Sequence, residues 1–223
     1  RRLSIIDLSE SANQPMTDPS GRYTIIYNGE IYNFRKVKSK LKDYPYSTES
    51  DTEVILASYI KYGPACLSEL NGMFALAIWD ANERTLFVAR DRLGVKPLYY
   101  SITGDGILVF ASEVRAILDS GLVERKVDSR GLYDYVMYHS VYSPRTIVED
   151  IQQLPAGTFG VFSRSRLSIT QYWRVEDDQA GIVSDDEKLV RRNIRELLLS
   201  SVEMRMISDV RLGAFLSGGI DSS

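Results

Sequence analysis

The run Phe74-Ala75-Leu76-Ala77-Ile78 constrains the fold more than any other segment of this 223-residue chain. A strand sends alternate side chains to opposite faces, so a run that is apolar at every position needs cover on both sides. Short β-branched or aromatic runs surround it: Leu3 to Leu8, Tyr23 to Tyr27, Met73 to Trp79, Thr85 to Ala89, Leu98 to Ser101 and Ile107 to Ala111. Asp80-Ala81-Asn82-Glu83-Arg84 and Gly104-Asp105-Gly106 read as hairpin loops between them, which predicts antiparallel sheet. Thr158 to Phe162 with Leu167 to Tyr172 predicts a late hairpin.

Helical spacing appears at Arg35 to Leu41, Thr52 to Tyr62, Glu113 to Leu118, Ser129 to Val141 and Asp186 to Met206. Ser50 or Asp51 can cap the second of these, because a short oxygen-bearing side chain accepts from the free N–H groups of a first turn. The polar, acidic stretch 176–185 reads as a linker, and the chain shows no internal repeat.

Charge and cysteine content narrow the function. The chain carries 27 Lys plus Arg against 30 Asp plus Glu, a net −3, which leaves no basic surplus for nucleic acid. No apolar run reaches the roughly 20 residues that span a bilayer, and the start of the chain does not read as a signal peptide. One Cys, Cys66, excludes an internal disulfide, and one His, His139, excludes an imidazole-rich metal site. A cytoplasmic location is expected. Cys66 reads as a packed cysteine, and His139 receives no role.

Chemistry concentrates at two places. Near the end, the apolar run Leu212 to Leu216 leads into Ser217-Gly218-Gly219-Ile220-Asp221-Ser222. Glycines let backbone N–H groups converge on a phosphate, hydroxyls add donors, and Asp221 could hold Mg²⁺. No Gly-Lys-Ser/Thr follows, so this is not a Walker loop. It resembles the pyrophosphate-binding loop of the ATP pyrophosphatases, which implies nucleotide binding by Leu216, Ser217, Gly218, Gly219, Asp221 and Ser222. The second place is spread over Arg2-Leu3-Ser4-Ile5-Ile6-Asp7-Leu8, Tyr27-Asn28-Gly29-Glu30-Ile31, Ser50-Asp51-Thr52-Glu53, Leu70-Asn71-Gly72-Met73 and Ala89-Arg90-Asp91-Arg92-Leu93-Gly94-Val95-Lys96-Pro97.

Together and in this order, these segments resemble the glutaminase domain of glutamine-hydrolysing asparagine synthetases of the B type. The resemblance implies an α+β fold, the N-terminal-nucleophile hydrolase αββα sandwich of class II glutamine amidotransferases, over residues 1–175. After the linker it implies the truncated start of an α/β ATP-pyrophosphatase domain over 186–223. Arg2 would pair with the glutamine α-carboxylate through a planar guanidinium. Glu30 and Asp51 would face the α-ammonium group, and Leu3, Ile5 and Ile6 would wall the pocket. Asn28 and the Gly29 N–H would form the oxyanion hole.

Plainer readings stand beside these roles. Asn28-Gly29 is also a common turn dipeptide, Arg2 could be a surface residue, Asp51 a helix cap, and Arg90-Asp91 a buried structural ion pair. The family's nucleophile is an N-terminal Cys whose α-amine, with a pKa near ~7.7–8, acts as base. Position 1 here is Arg, which places the nucleophile upstream and predicts that the isolated chain is inactive in both half-reactions. The expected overall reaction uses glutamine, aspartate and ATP with Mg²⁺, no tightly bound cofactor in this chain, and a homodimer is compatible with it. Two related chemistries stay open: amidation of another carboxylate on a cell-surface sugar or peptide, and a β-lactam-synthetase-like ligase without glutaminase activity. So does a non-catalytic binding module.

Overall fold

The computed structural model describes residues 6–7, 9–178, 186–211, 213 and 217–220. In chain order the elements are β1 (Met16–Thr17), β2 (Tyr23–Ile31), α1 (Phe34–Ser39), α2 (Asp51–Tyr62), α3 (Cys66–Glu69), β3 (Gly72–Asp80) and β4 (Thr85–Arg90). There follow β5 (Tyr99–Ile102), β6 (Leu108–Ala111), α4 (Val114–Asp119), α5 (Ser129–Tyr138), β7 (Gln152–Gln153), β8 (Thr158–Ser163), β9 (Arg166–Gln171) and α6 (Glu187–Arg205).

The strands form two antiparallel sheets, one of six strands in the order β1-β2-β3-β4-β8-β9 and one of three in the order β6-β5-β7. Alternation along β3 explains how both faces are covered. Phe74, Leu76 and Ile78 join Phe87 of β4 and Ile25 of β2 in the larger core, with Val37 of α1, Val54 and Ile55 of α2 and Leu67 of α3. Ala75 and Ala77 point the other way and join Val88, Leu98 and Leu154, with Tyr100 of β5 and Phe110 of β6 packed against them. Small side chains on that face let the second sheet approach. On the outer side of β5 and β6 lies α4, with Ile117 fully buried. The layers are therefore helix, sheet, sheet, helix, as the resemblance implies.

Local chemistry fixes the hairpins. Arg22 donates from Nε and Nη2 to Asp80 at 2.9 and 2.8 Å, while Asp80 Oδ1 also accepts from the N–H groups of Asn82 and Glu83. The guanidinium and these turn donors favour the carboxylate, which holds Asp80 at about 2.

Several expectations need correction. β2 does not stop at Tyr27; it continues through Asn28-Gly29 to Ile31, paired with β3 along its whole length, so the turn reading of that dipeptide fails. Ile6 and Asp7 lie in no strand, and the rest of the expected strand Leu3 to Leu8 is outside the described residues. The fifth helix ends at Tyr138, three residues early, because His139 takes a left-handed conformation at φ 55° and closes it. Arg90 and Asp91 are buried, but no ion pair joins them among the described residues. Arg90 instead donates to the carbonyls of Lys96, Leu154 and Gly94, and Asp91 accepts from the N–H groups of Phe74, Leu93, Val95 and Lys96. Linker residues 179–185 lie outside the described residues, as does the expected strand Leu212 to Leu216 apart from Gly213. Among the described residues no helix is long and apolar enough to cross a membrane.

Candidate active site

A cavity of about 620 Å³ opens beside the second half of β2, between that strand, the first turn of α2, the Gln14-Pro15 loop and the Ser112-Glu113 loop. Its wall includes Ile6, Asn28, Gly29, Glu30, Asp51 and Lys96. Five residues expected in one site, Ile6, Asn28, Gly29, Glu30 and Asp51, thus meet there. Arg2, Leu3 and Ile5 lie outside the described residues.

The strand itself aims the donors. In an antiparallel ladder, N–H groups of alternate residues point to the same edge. Phe74, opposite Gly29, spends its N–H and carbonyl on Asp91, so the Gly29–Phe74 pair is not hydrogen-bonded and Gly29 turns its N–H away from β3. Its neighbours on that edge are occupied: the Tyr27 N–H donates to Gln14 Oε1 at 2.6 Å, and the Ile31 N–H donates to Asp51 Oδ2 at 3.0 Å. The Gly29 N–H stands between them, at the cavity. A Cβ at residue 29 would fall 2.1 Å from the Met73 carbonyl oxygen and 2.8 Å from Phe74 Cα, so only glycine fits this crossing. Gly72, on the facing strand, is equally tight against Glu30 and Ile31. Asn28 sits one residue away and donates from Nδ2 to Ser112 Oγ at 3.3 Å.

The acids differ in their partners. Asp51 is the first residue of α2 but not its cap; that role belongs to Ser50, whose Oγ accepts from the Thr52 N–H at 3.1 Å. Asp51 Oδ2 instead accepts from the Tyr27 hydroxyl at 2.9 Å as well as from Ile31. Burial, with the Asp51 charge next, pushes the Tyr27 phenol well above its ordinary value and keeps it a donor. Glu30 is 7% exposed, and no hydrogen bond reaches its carboxylate from any described residue. Burial and then the Asp51 charge raise its pKa, while Lys96 and Arg205 pull the other way. A buried acid beside another acid favours a cation between them.

Gln14, Ser112 and Lys96 were not assigned to the site from sequence. Gln14 ties β2 to α2, since its Nε2 also donates to Thr52 Oγ1 at 3.3 Å. Lys96 follows Arg90-Asp91-Arg92-Leu93-Gly94-Val95 in sequence, and nothing in its spacing points to the cavity. Cys66 is 1% exposed, and burial pushes its thiol up to about 12, as expected of a packed residue.

The second motif is separate from this cavity. Ser217, Gly218 and Gly219 are exposed, the Gly219 N–H donates to Ser217 Oγ at 3.4 Å, and a Cβ on Gly218 would meet nothing within 4 Å. Such an open backbone can be approached by a phosphate. Leu216, Asp221 and Ser222 lie outside the described residues, and among the described residues no group of His, Cys, Asp or Glu could hold a metal ion.

Known proteins are similar to this chain in sequence and in fold. Residues 1–173 match the glutamine amidotransferase domain, and residues 193–223 match asparagine synthase. Over its whole length the chain is 40% identical to asparagine synthetase [glutamine-hydrolyzing] 3 of Bacillus subtilis, covering 36% of that protein. It is 37% identical, again over its whole length, to amidase chry2 of Gibberella zeae, covering 33% of that protein. The chain thus spans about a third of the length of these relatives. Among solved structures, glutamine phosphoribosylpyrophosphate amidotransferase from B. subtilis shares the fold, with a TM-score of 0.52 and 20% identity over 74% of this chain and 33% of that one.

Proposed function

The chain belongs to the glutamine amidotransferase domain family, and from that premise we propose that its cavity binds glutamine and supports hydrolysis of the side-chain amide to glutamate and ammonia. The observation that carries this reading is the acid Glu30, without a hydrogen-bond donor among the described residues, next to an aimed N–H at Gly29, on one strand and in one cavity. Glu30 and Asp51 receive the α-ammonium group. Asn28 Nδ2 and the Gly29 N–H donate to the amide oxygen as it becomes negative in the tetrahedral state, when such donors are worth most. Among the described residues no cysteine or histidine lines the cavity. The nucleophile in this reading is the N-terminal Cys that the family resemblance implies, and Arg2 binds the α-carboxylate.

The second half-reaction is amidation of aspartate to asparagine, supported by the match of residues 193–223 and by the asparagine synthetase relatives. ATP activates the acceptor carboxylate, with Ser217, Gly218 and Gly219 holding its phosphates and Mg²⁺ assigned to Asp221. In this reading the boundary between the two modules is the stretch 176–185; family matches to residues 1–173 and 193–223 support it. A cytoplasmic enzyme and a homodimer belong to the same reading. Similarity to fungal amidases at 37% identity favours, as the second reading, another amide acceptor.

Asn28→Ala tests the site. In the protein that carries this chain, it should lower kcat for glutamate release from glutamine by about 10²–10³-fold with little change in KM. Wild-type kcat in the variant would remove Asn28 from the chemistry. Asparagine formed from aspartate, glutamine and ATP settles the acceptor, and glutamate release without asparagine favours the second reading.

A further inference from the structure

The end of α6 and the residues that follow it contact neighbours of the elements that line the cavity. At the end of α6 the Arg205 guanidinium lies 4.6 Å from the ring centre of Tyr32. Tyr32 is 6% exposed and directly follows β2, the strand that carries Asn28, Gly29 and Glu30. Its N–H donates to the Asn71 carbonyl at 2.8 Å, and the Asn71 side chain reaches Met204 Sδ at 3.9 Å. Ile207 packs against the larger core.

The next contact falls beside a different part of the cavity lining, next to Ile6. Asp209 Oδ2 accepts from the Asp7 N–H at 2.8 Å, across 202 residues of sequence. Asp7 in turn accepts from the Glu49 N–H at 2.9 Å and from Ser9. Ile6, next to Asp7, lines the cavity, and Glu49 leads through Ser50 into Asp51. The segment 205–209 therefore touches Tyr32, which follows the strand that presents Glu30, and Asp7, which neighbours Ile6 and accepts from the loop that leads to Asp51.

We infer that Arg205 and Asp209 are positioning residues for glutamine, set outside the cavity and acting through Tyr32 and Asp7 on its two acidic walls. The inference rests on the reading of the cavity as a glutamine pocket. It gives the start of the second family module, within residues 193–223, a defined effect on the first: holding Tyr32 fixes the exit of β2, and holding Asp7 fixes the approach to α2. Neither residue touches the reacting amide, so their effect falls on glutamine affinity and not on the chemical step.

Steady-state glutamate release by the protein that carries this chain tests this. Arg205→Ala and Asp209→Ala should each raise KM for glutamine by about threefold to tenfold, the scale of one lost cation–π contact or hydrogen bond, with kcat within about twofold. Arg205→Lys keeps a cation over the ring and should recover most of the affinity. Arg192→Ala, on the exposed part of α6, should match wild type. Unchanged KM in both Arg205→Ala and Asp209→Ala overturns the inference, as does a fall in kcat alone or an Arg205→Lys variant as impaired as Arg205→Ala. If the wild-type protein releases no glutamate, the glutamine reading itself fails; if it does and the variants match it, only this inference fails.

Discussion

Glu53 and Glu30 are both buried acids, 2% and 7% exposed, near the same end of α2, yet the fold treats them in opposite ways. Beneath α2, Glu53 accepts from the N–H groups and hydroxyls of Ser47 and Thr48 at 2.7–3.2 Å. Asp91, 1% exposed, is likewise spent on four backbone N–H groups. In the cavity wall, Glu30 has no such partner among the described residues. Saturated acids organise loops, whereas an acid left without donors keeps its charge available for a ligand. Burial alone does not separate the two; the census of hydrogen-bond donors does.

The largest effect that would break this contrast is on stability. Asp91→Ala strands four backbone donors and should lower the unfolding free energy by about 4 kcal/mol, with Glu53→Ala costing about 3 kcal/mol, measured by urea unfolding. A loss below ~1 kcal/mol in either would mean that water replaces the carboxylate without penalty. Glu30→Gln should do the reverse: stability at neutral pH stays level or rises, while KM for glutamine increases about tenfold to hundredfold through loss of a charge-assisted contact.

The pH dependence sharpens the same point. A carboxyl whose folded pKa is raised, as burial and Asp51 raise that of Glu30, contributes stability below its unfolded pKa and loses it as pH rises through the folded value. Glu30→Gln should erase that loss, so the variant gains on wild type above the raised pKa and the two converge in acid. Correspondingly, wild-type kcat/KM for glutamine should fall as pH drops through that raised value, because the protonated acid no longer attracts the ammonium group. A variant whose stability tracks wild type at every pH would show that Glu30 is paid no electrostatic penalty in the fold.

The smallest effect concerns Cys66, which belongs with the structural set. A thiol pushed up to about 12 is ionised in on the order of one molecule in 10⁵ at pH 7. Native protein should therefore leave Cys66 unlabelled by iodoacetamide over an hour while denatured protein labels fully. Rapid native labelling of Cys66 that also stops glutamate release would return it to the chemistry.

Much of the fold was legible because its signals are local. The hairpins at Asp80 to Arg84 and Gly104 to Gly106, and the two-sided cover of Phe74 to Ile78, follow from turn residues and alternation. Asn28-Gly29 misled for the same reason, since its local turn preference is overridden by nine residues of pairing with β3. Adjacent opposite charges at Arg90-Asp91 suggested a pair, but their backbone partners are set by the tertiary fold. Ser112 was out of reach, as its bond to Asn28 closes 84 residues of sequence. Glu30 and Asp51 were found through family resemblance; nothing local in the sequence shows that Asp51 accepts from Tyr27 and Ile31 while no described residue donates to the Glu30 carboxylate.

The facing glycines at 29 and 72 divide the cavity wall by how freely it can change. Any side chain at either position must push two paired backbones apart, so the β2–β3 side is closed to gradual substitution. Gln14, Ser112 and Glu113 stand on loops of the cavity wall, where no backbone ladder pairs them to a facing strand. Over generations, a lineage altering what this cavity accepts would therefore do so from the loop side, and laboratory libraries aimed at new amide donors are best confined there.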